Sequence, residues 1–450
     1  MDSRKLGFGM AAAAAVVMIA GAGCSRTRAD AQVEALGADD GARAAAKMAR
    51  EGRDTFRNDT FGDQAFWGGV LRLHEAIEGA ANGGVGPGVS PATALAVGLK
   101  VDVDALPQPV KKAIAAGQVD LNSPNTTLAL LQLDSVLGVK GFFDPNGKLT
   151  SMGITCALCH STVDNSFAPG IGHRLDGWAN RDLNVGAIVS LAPNLQPVAD
   201  LLSLGGTPID VPTLKTVLGL WGPGKFDAEV FLDEKAINPV TGNVAATLIP
   251  PAYGLAGVNL HTWTGWGSVT HWNAFVANLE MHGQGTFVDA RLNNPAQFPI
   301  ATAAHFYDVR PQGQDLITSK LPALHVYQLT LDAPKAPEGS FDEAAAKRGQ
   351  AVFNGQAKCA TCHVAPIFTE PGWNMHKAEE IGIESFQADR APDHAYRTAP
   401  LRGLWAHQKG GFYHDGRFAT LMDVVNHYDG LLKLGLTQAE KDELVEYLKS

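Results

Sequence analysis

Apolar positions along this chain recur at helical spacing in several stretches and never alternate long enough to be read as a sheet. Residues 54–80 (DTFRNDTFGDQAFWGGVLRLHEAIEGA) are aromatic and periodic enough to be folded. A Gly/Pro run from Asn82 to Pro91 then breaks the pattern. Residues 92–150 read as short helices separated by loops, and 181–250, punctuated by Pro and Gly, as loops with short helices. A helix is expected around His271 to Met281, and the segment Asp332 to Gly339 (DAPKAPEG) reads as a linker. Ser340 with Glu343 makes a capping box that predicts a helix to about Phe353. Thr437 with Glu440 makes another, opening a final helix whose Leu444, Val445 and Leu448 share one face. The expected class is mainly α.

The start of the chain is of another kind. Arg4 and Lys5 precede an apolar run from Leu6 to Ala20, and Gly21-Ala22-Gly23 leads to Cys24. That order reads as an export signal, its apolar run too short for a confident membrane span. The small residues before Cys24 resemble a bacterial lipoprotein cleavage site, although Gly21 stands where Leu is usual. Lipidation at Cys24 and simple cleavage both fit, and both lead to the periplasm. Residues 25–53, Ala-rich and charged, read as a flexible leader or the start of a helix.

Composition narrows the partners more than the fold. Hydrophobic residues are 45% and charged ones 18% of the 450, which suits packed globular domains. The net charge of −10 argues against a nucleic-acid partner.

Cysteine carries the chemistry. Besides Cys24 there are four, in Cys156-Ala-Leu-Cys159-His160 and Cys359-Ala-Thr-Cys362-His363. Two thiols at this spacing can add to the vinyl groups of one porphyrin, and the next histidine then lies under the iron. A four-cysteine zinc site usually draws its pairs from within a few tens of residues, whereas these lie about 200 apart. A thioredoxin-like pair explains neither histidine. Two covalently bound c-type haems are the reading.

Around the second pair the sequence resembles the bacterial di-haem cytochrome c peroxidase family, including its MauG-like branch. The stretch Tyr396-Arg-Thr-Ala-Pro-Leu-Arg-Gly-Leu404, then Phe412-Tyr-His-Asp-Gly-Arg-Phe-Ala-Thr-Leu421, carries the resemblance, with Lys347-Arg-Gly-Gln-Ala-Val-Phe353, Pro366-Ile-Phe-Thr369 and the ending LTQAEKDELVEYLK. It covers residues 340–450 well, and 153–181 and 249–283 more loosely; residues 30–150 and 182–248 look like additions, as in larger relatives such as rubber oxygenases. The resemblance implies two cytochrome c-like haem domains with a large, loop-rich enlargement of the first. The boundaries are 1–24 for the signal, 25–53 for the leader, 54–331 for the enlarged first domain, 332–339 for the linker and 340–450 for the second domain.

Its implied site residues follow position by position. Gly170-Ile-Gly-His173 resembles a loop whose histidine is a distal ligand or acid–base group of the first haem. Trp263-Thr-Gly265 resembles the family's FWDGRA segment, whose tryptophan lies between the haems, although Thr264 and Trp266 depart from it. Glu280 is the nearest match to the active-site glutamate that shuttles the peroxide proton, arriving three residues early; His271 and His282 compete with it and read as structural. The sixth ligand of the second haem falls at Tyr428, where peroxidases proper have Met and MauG-like enzymes Tyr. Adjacent His427 is chemically the better ligand, but neighbours on a helix point about 100° apart, so only one can face the iron; Met422 is a third candidate. His414 and Arg417 read as residues that hold propionates or tune the contact between domains, and Asn180 lies near the family's calcium site.

The implied activity is reduction of hydrogen peroxide with electrons from a small periplasmic cytochrome or copper protein. The alternatives are oxidation or oxygenation of an organic or protein substrate, and a di-haem electron carrier without enzymatic activity.

Overall fold

The computed structural model describes residues 28–370 and 374–450, with side chains described from residue 40; the stretch read as an export signal, and Cys24, lie outside them. Helices dominate, joined by long loops and by β-pairings of only two strands each. No helix among the described residues is long and apolar enough to cross a membrane.

The described residues open with α1 (Arg28–Asn58), so of the two readings of this stretch, flexible leader or start of a helix, the structure has the helix. Its C-terminal half packs along α4 (Leu321–Thr330). Gly52 permits the contact, because a Cβ there would lie 1.9 Å from the Ala323 carbonyl oxygen. One turn on, Phe56, fully buried, meets Tyr327 edge-on with centroids 5.5 Å apart.

The absence of sheet expected from the sequence also needs correcting. β1 (Val139–Phe143) and β2 (Leu149–Ile154) form an antiparallel hairpin, with Val139 opposite Ile154. Its turn, Asp144-Pro-Asn-Gly147-Lys148, is fixed by the Asp144 carboxylate, which accepts the amides of Asn146 and Lys148. The hairpin aims the chain at the first cysteine pair: the Ile154 amide donates to Asp63, and the Thr155 amide to the Gly138 carbonyl.

Between these lie α2 (Val211–Trp221), capped by Asp210, and α3 (Val269–Phe275), capped by Ser268. Without a break α3 widens into a π-helical stretch, Val276–Glu280, and together they fill the expected helix. A second π-helical stretch, Ala65–Val70, lies beside it. The Trp67 indole N–H donates to the Met281 carbonyl at 3.0 Å and joins the two.

The C-terminal part packs α5 (Glu343–Asn354) on α7 (Gln438–Lys449), with α6 (Leu421–Leu432) alongside α7. Helices α5 and α7 touch backbone to backbone at Gly349, where a Cβ would come within 2.0 Å of the Glu443 carbonyl oxygen. The Thr437–Glu440 capping box is formed. The cap of α5 is Asp342, not Ser340: the Asp342 carboxylate accepts the Ala345 amide, while the Ser340 hydroxyl donates back to Pro337. Residues 332–337 run without regular structure, held by an Asp332–Arg402 ion pair and by the Trp405 indole N–H on the Pro334 carbonyl.

Segment 386–391 departs most from a self-contained second domain. It enters the first, where Ala391 joins a core with Trp266, Phe275 and Phe298. Arg390, 0% exposed, pairs with Asp227 and Asp233, each at 2.8 Å. Removing one member of such a buried set leaves uncompensated charge, at a cost of about 3–5 kcal/mol. Arg390→Ala should therefore lower the denaturation midpoint markedly, and adding Asp227→Asn and Asp233→Asn should restore part of the loss. Equal midpoints for the wild type and Arg390→Ala would contradict the role given to this cluster.

Candidate functional site

The hairpin ends on a short helical turn, Ala157–His160, that puts Cys156, Cys159 and His160 on the wall of a cavity of about 310 Å³. The His160 ring is enclosed by protein, and burial lowers its proton affinity to about 4, so it is neutral. Its Nδ1–H donates to the Pro250 carbonyl at 3.1 Å, leaving the Nε2 lone pair for a metal. Burial pushes the Cys156 and Cys159 thiols up to about 12. Porphyrin thioethers are neutral, so two neutral buried thiols beside a neutral imidazole with a free Nε2 fit haem c. Among the described residues the two cysteine pairs form no joint cluster.

The second pair repeats the arrangement. His363 is enclosed, shifted down to about 4 by burial, and donates Nδ1–H to the Phe368 carbonyl at 3.1 Å. Tyr428 on α6 lies within electrostatic reach of both Cys359 and Cys362, and burial raises its phenol. Tyr413 packs against it with centroids 6.4 Å apart. His427 turns elsewhere, its Nε2 bonded to the Ile381 carbonyl at 2.8 Å. Met422 lies six residues before Tyr428, about 120° round the helix. Of the three candidates, Tyr428 faces the CxxCH turn.

Three histidines raised by the sequence separate cleanly. His173 is on the surface and outside the cavity wall; its Nδ1 pairs with Asp104 at 2.9 Å, and that partner raises its proton affinity. The glycine turn that suggested a distal loop pairs as a strand, Ile171 beside Val101, and points the histidine outward. His271 contacts Asp289 at 3.3 Å, away from the cavity. His282, read as structural, does line the cavity; burial lowers it to about 4, and it stacks on Phe66 with centroids 3.7 Å apart.

Glu280 closes the π-helical stretch and lines the cavity, half-buried. Burial first, and the charge of Glu229 second, push its carboxyl up to about 8. Wide π turns redirect side chains and are frequent at functional sites; here both π stretches line one cavity. Trp263 also lines it, and its indole N–H donates to the Leu248 carbonyl at 3.0 Å. The Leu248 amide in turn donates to the His414 carbonyl at 2.6 Å, so one residue, Leu248, ties the tryptophan to the 412–418 loop.

Arg417 is occupied by Asp415 and Glu384, and His414 stacks on Tyr396 with centroids 5.3 Å apart. Glu384, His414 and Asp415 cluster as metal ligands could, but the Arg417 guanidinium already holds both carboxylates. The Asn180 amide donates to the Gly98 carbonyl at 3.0 Å, its oxygen accepts the Asp182 amide, and buried Arg181 follows it, so calcium finds no support there.

Glu229, Gln387 and Arg397 line the same cavity and were missed. Arg397 lay in plain view within the 396–404 stretch; it holds the Leu260 carbonyl at 2.9 Å, while its amide donates to the Trp263 carbonyl. Glu229 had only a faint signal: three acids, Asp227, Glu229 and Asp233, threaded through apolar Val230-Phe-Leu232.

No protein-family model matches the chain. It is 31% identical over 195 residues to the methylamine utilization protein MauG of Methylorubrum extorquens, covering 40% of this chain and 54% of that protein. It is 26% identical over 186 residues to the cytochrome-c peroxidase IdrP1 of Denitromonas iodatirespirans, covering 30% of this chain and 50% of that one. The chain thus spans about half the length of these curated relatives. Among solved structures, a MauG-like protein associated with microbial copper homeostasis matches at TM-score 0.31 and 18% identity, over 49% of this chain and 80% of that one. Hydrazine synthase of Kuenenia stuttgartiensis matches at TM-score 0.27 and 18% identity, over 45% and 72%.

Replacing Cys156 and Cys159 together by Ser should remove one of two covalent haems, read by intact mass and by the pyridine haemochrome. Retention of both would refute the attachment site. Tyr428→Phe should change the optical and magnetic spectrum of the haem at His363, and His427→Gln should leave it alone. The opposite outcome would move the ligand to His427.

Proposed function

From its similarity to the MauG-like di-haem cytochrome c peroxidases, we propose that this protein is a di-haem c-type oxidoreductase that reduces hydrogen peroxide with electrons from a small periplasmic donor. The observation that carries this reading is Glu280, a half-buried, protonatable carboxyl on the wall of the cavity that His160 enters. Bound haem would supply the iron that receives the peroxide and stores the electrons. The chain's own part is proton handling and shielding. Glu280 takes the proton from the inner peroxide oxygen and returns it to the outer one. His282, neutral and stacked on Phe66, fills space beside it without competing for that proton. Trp263, tied to both domains by way of Leu248, is the candidate bridge for electrons. In this reading His363 and Tyr428 would hold the second haem, and a phenolate ligand would lower its potential.

A second reading has one observation in its favour. Part of the cavity wall is apolar and comes from residues 185–231, including Val189, Leu201, Leu218, Trp221 and Phe231. Peroxide needs no such wall, and an apolar organic substrate would. Its oxidation by peroxide is the alternative activity; a protein substrate or a simple electron carrier has no comparable support.

Stopped-flow mixing of the oxidised and half-reduced holoprotein with peroxide tests the main reading. Rapid reaction of one haem is expected, and no reaction in either state would defeat it. Glu280→Gln should slow that reaction by about 10²–10⁴-fold. Because burial holds this carboxyl near 8, the base form that accepts the proton grows as pH rises toward that value, so the rate should rise with pH and Glu280→Gln should abolish the rise.

A further inference from the structure

Arg181 is a buried cation without an anion. Its side chain belongs to a residue only 8% exposed, and its Nε meets no hydrogen-bond partner. One other guanidinium N–H donates to the Lys409 carbonyl, at a long 3.5 Å. The neighbouring acid, Asp182, is spent on Lys100 at 2.6 Å and on Lys409. Among the described residues no carboxylate pairs with Arg181. A guanidinium keeps its proton on burial, so this charge has to be met by something. Arg390 shows the usual solution, with an aspartate on each side.

A second orphan lies beside the first. His407 stands two residues before Lys409, whose carbonyl Arg181 touches, and its Nε2 is shut away from solvent without a partner. Its ring lies 5.6 Å from that of Tyr253, whose hydroxyl is committed to the Gly403 carbonyl at 3.1 Å. The two orphans sit one layer behind the haem cavity. A Cβ on Gly410 would lie 3.5 Å from the Arg181 guanidinium and 3.0 Å from Leu248, a residue of the cavity wall. On the other side, the Asn180 amide donates to the Cys159 carbonyl at 2.8 Å, so Arg181 follows directly on the first attachment turn.

We propose that Arg181 and His407 form a carboxylate-binding site, and that a propionate of the haem attached at Cys156 and Cys159 fills it. Arg181 supplies the charge and His407 a neutral N–H, its ring kept neutral by burial. This is the part that the sequence suggested for Arg417, whose guanidinium is engaged by Asp415 and Glu384. Because His407 belongs to segment 403–410, the site ties that segment to the first haem. The proposal rests on haem attachment at this cysteine pair and not on the peroxide reading.

A cation beside a propionate offsets its charge and so favours the reduced iron. In holoprotein, Arg181→Gln should lower the potential of the haem at His160 by about 59 mV, a tenfold shift in its one-electron equilibrium, and leave the haem at His363 unchanged. Arg181→Lys, which keeps the charge, should recover most of that shift. With carbon-13 in the propionate carboxylates, infrared difference spectra should show the labelled band displaced in Arg181→Gln and in His407→Phe. A band and a potential unchanged in both variants would overturn the site. A carboxylate or phosphate from solution is the rival source of the anion. A wild-type potential that saturates with added inorganic phosphate, with the labelled band indifferent to both variants, would overturn the propionate assignment in its favour. Should Arg181→Gln fail to fold, the band in His407→Phe decides alone. Wild-type protein found by intact mass to lack haem at Cys156 and Cys159 would instead defeat the attachment on which the proposal stands.

Discussion

The seam between residues 386–391 and the earlier part of the chain is organised round one buried cation. Arg390 comes from the C-terminal part of the chain, is shut off from solvent, and meets Asp227 and Asp233 of the first. A guanidinium cannot shed its charge, so burial is tolerable only where carboxylates meet it with good geometry. That requirement fixes segment 386–391 inside the first domain, and two consequences follow. Gln387 reaches Glu229, and Ala391 fills a core built by Trp266 and Phe298. The cavity beside His160 is therefore lined by Gln387 and Arg397 as well as by residues from earlier in the chain, and a loosened seam would open its wall.

The seam is also held by backbone. Leu248 gives its amide to His414 and its carbonyl to Trp263, while Arg397 gives its amide to the Trp263 carbonyl and a guanidinium N–H to Leu260. The His414–Arg417 loop contributes through its carbonyls: the Lys225 ammonium donates to the Asp415 carbonyl at 2.9 Å. Within this loop Arg417 is engaged by the carboxylates of Glu384 and Asp415.

Legibility in the sequence followed the range of the interactions. The cysteine pairs were readable because attachment to one porphyrin fixes their spacing, and the Thr437–Glu440 box because a cap is written within four residues. The hairpin before Cys156 was written almost as locally, in Asp-Pro-Asn-Gly, but its strands lack clean alternation because both faces are partly buried. Ser340 lost to Asp342 because two residues could cap α5, and packing against α7 selected one. His173 misled because a glycine turn followed by a histidine looks alike whether the ring faces a metal or, as here, Asp104 and solvent. Arg390 could not be read at all, for its partners lie 157 and 163 residues away.

The two π-helical stretches change how distance along this chain should be counted. A π turn spends an extra residue for nearly the same advance along the axis, so a side chain beyond it emerges rotated from where an α-helix would put it. Glu280 sits at the end of one such turn, and Phe66 and Trp67 lie within the other. Residue offsets measured against a relative without those turns are therefore not distances, and the extra residue of a π turn would make Glu280 arrive later, not three residues early. It also means that length is the sensitive property here. Deleting a single residue between Val276 and Glu280, with no change of chemistry, would reset the turn to α and carry the carboxyl round toward the packed core.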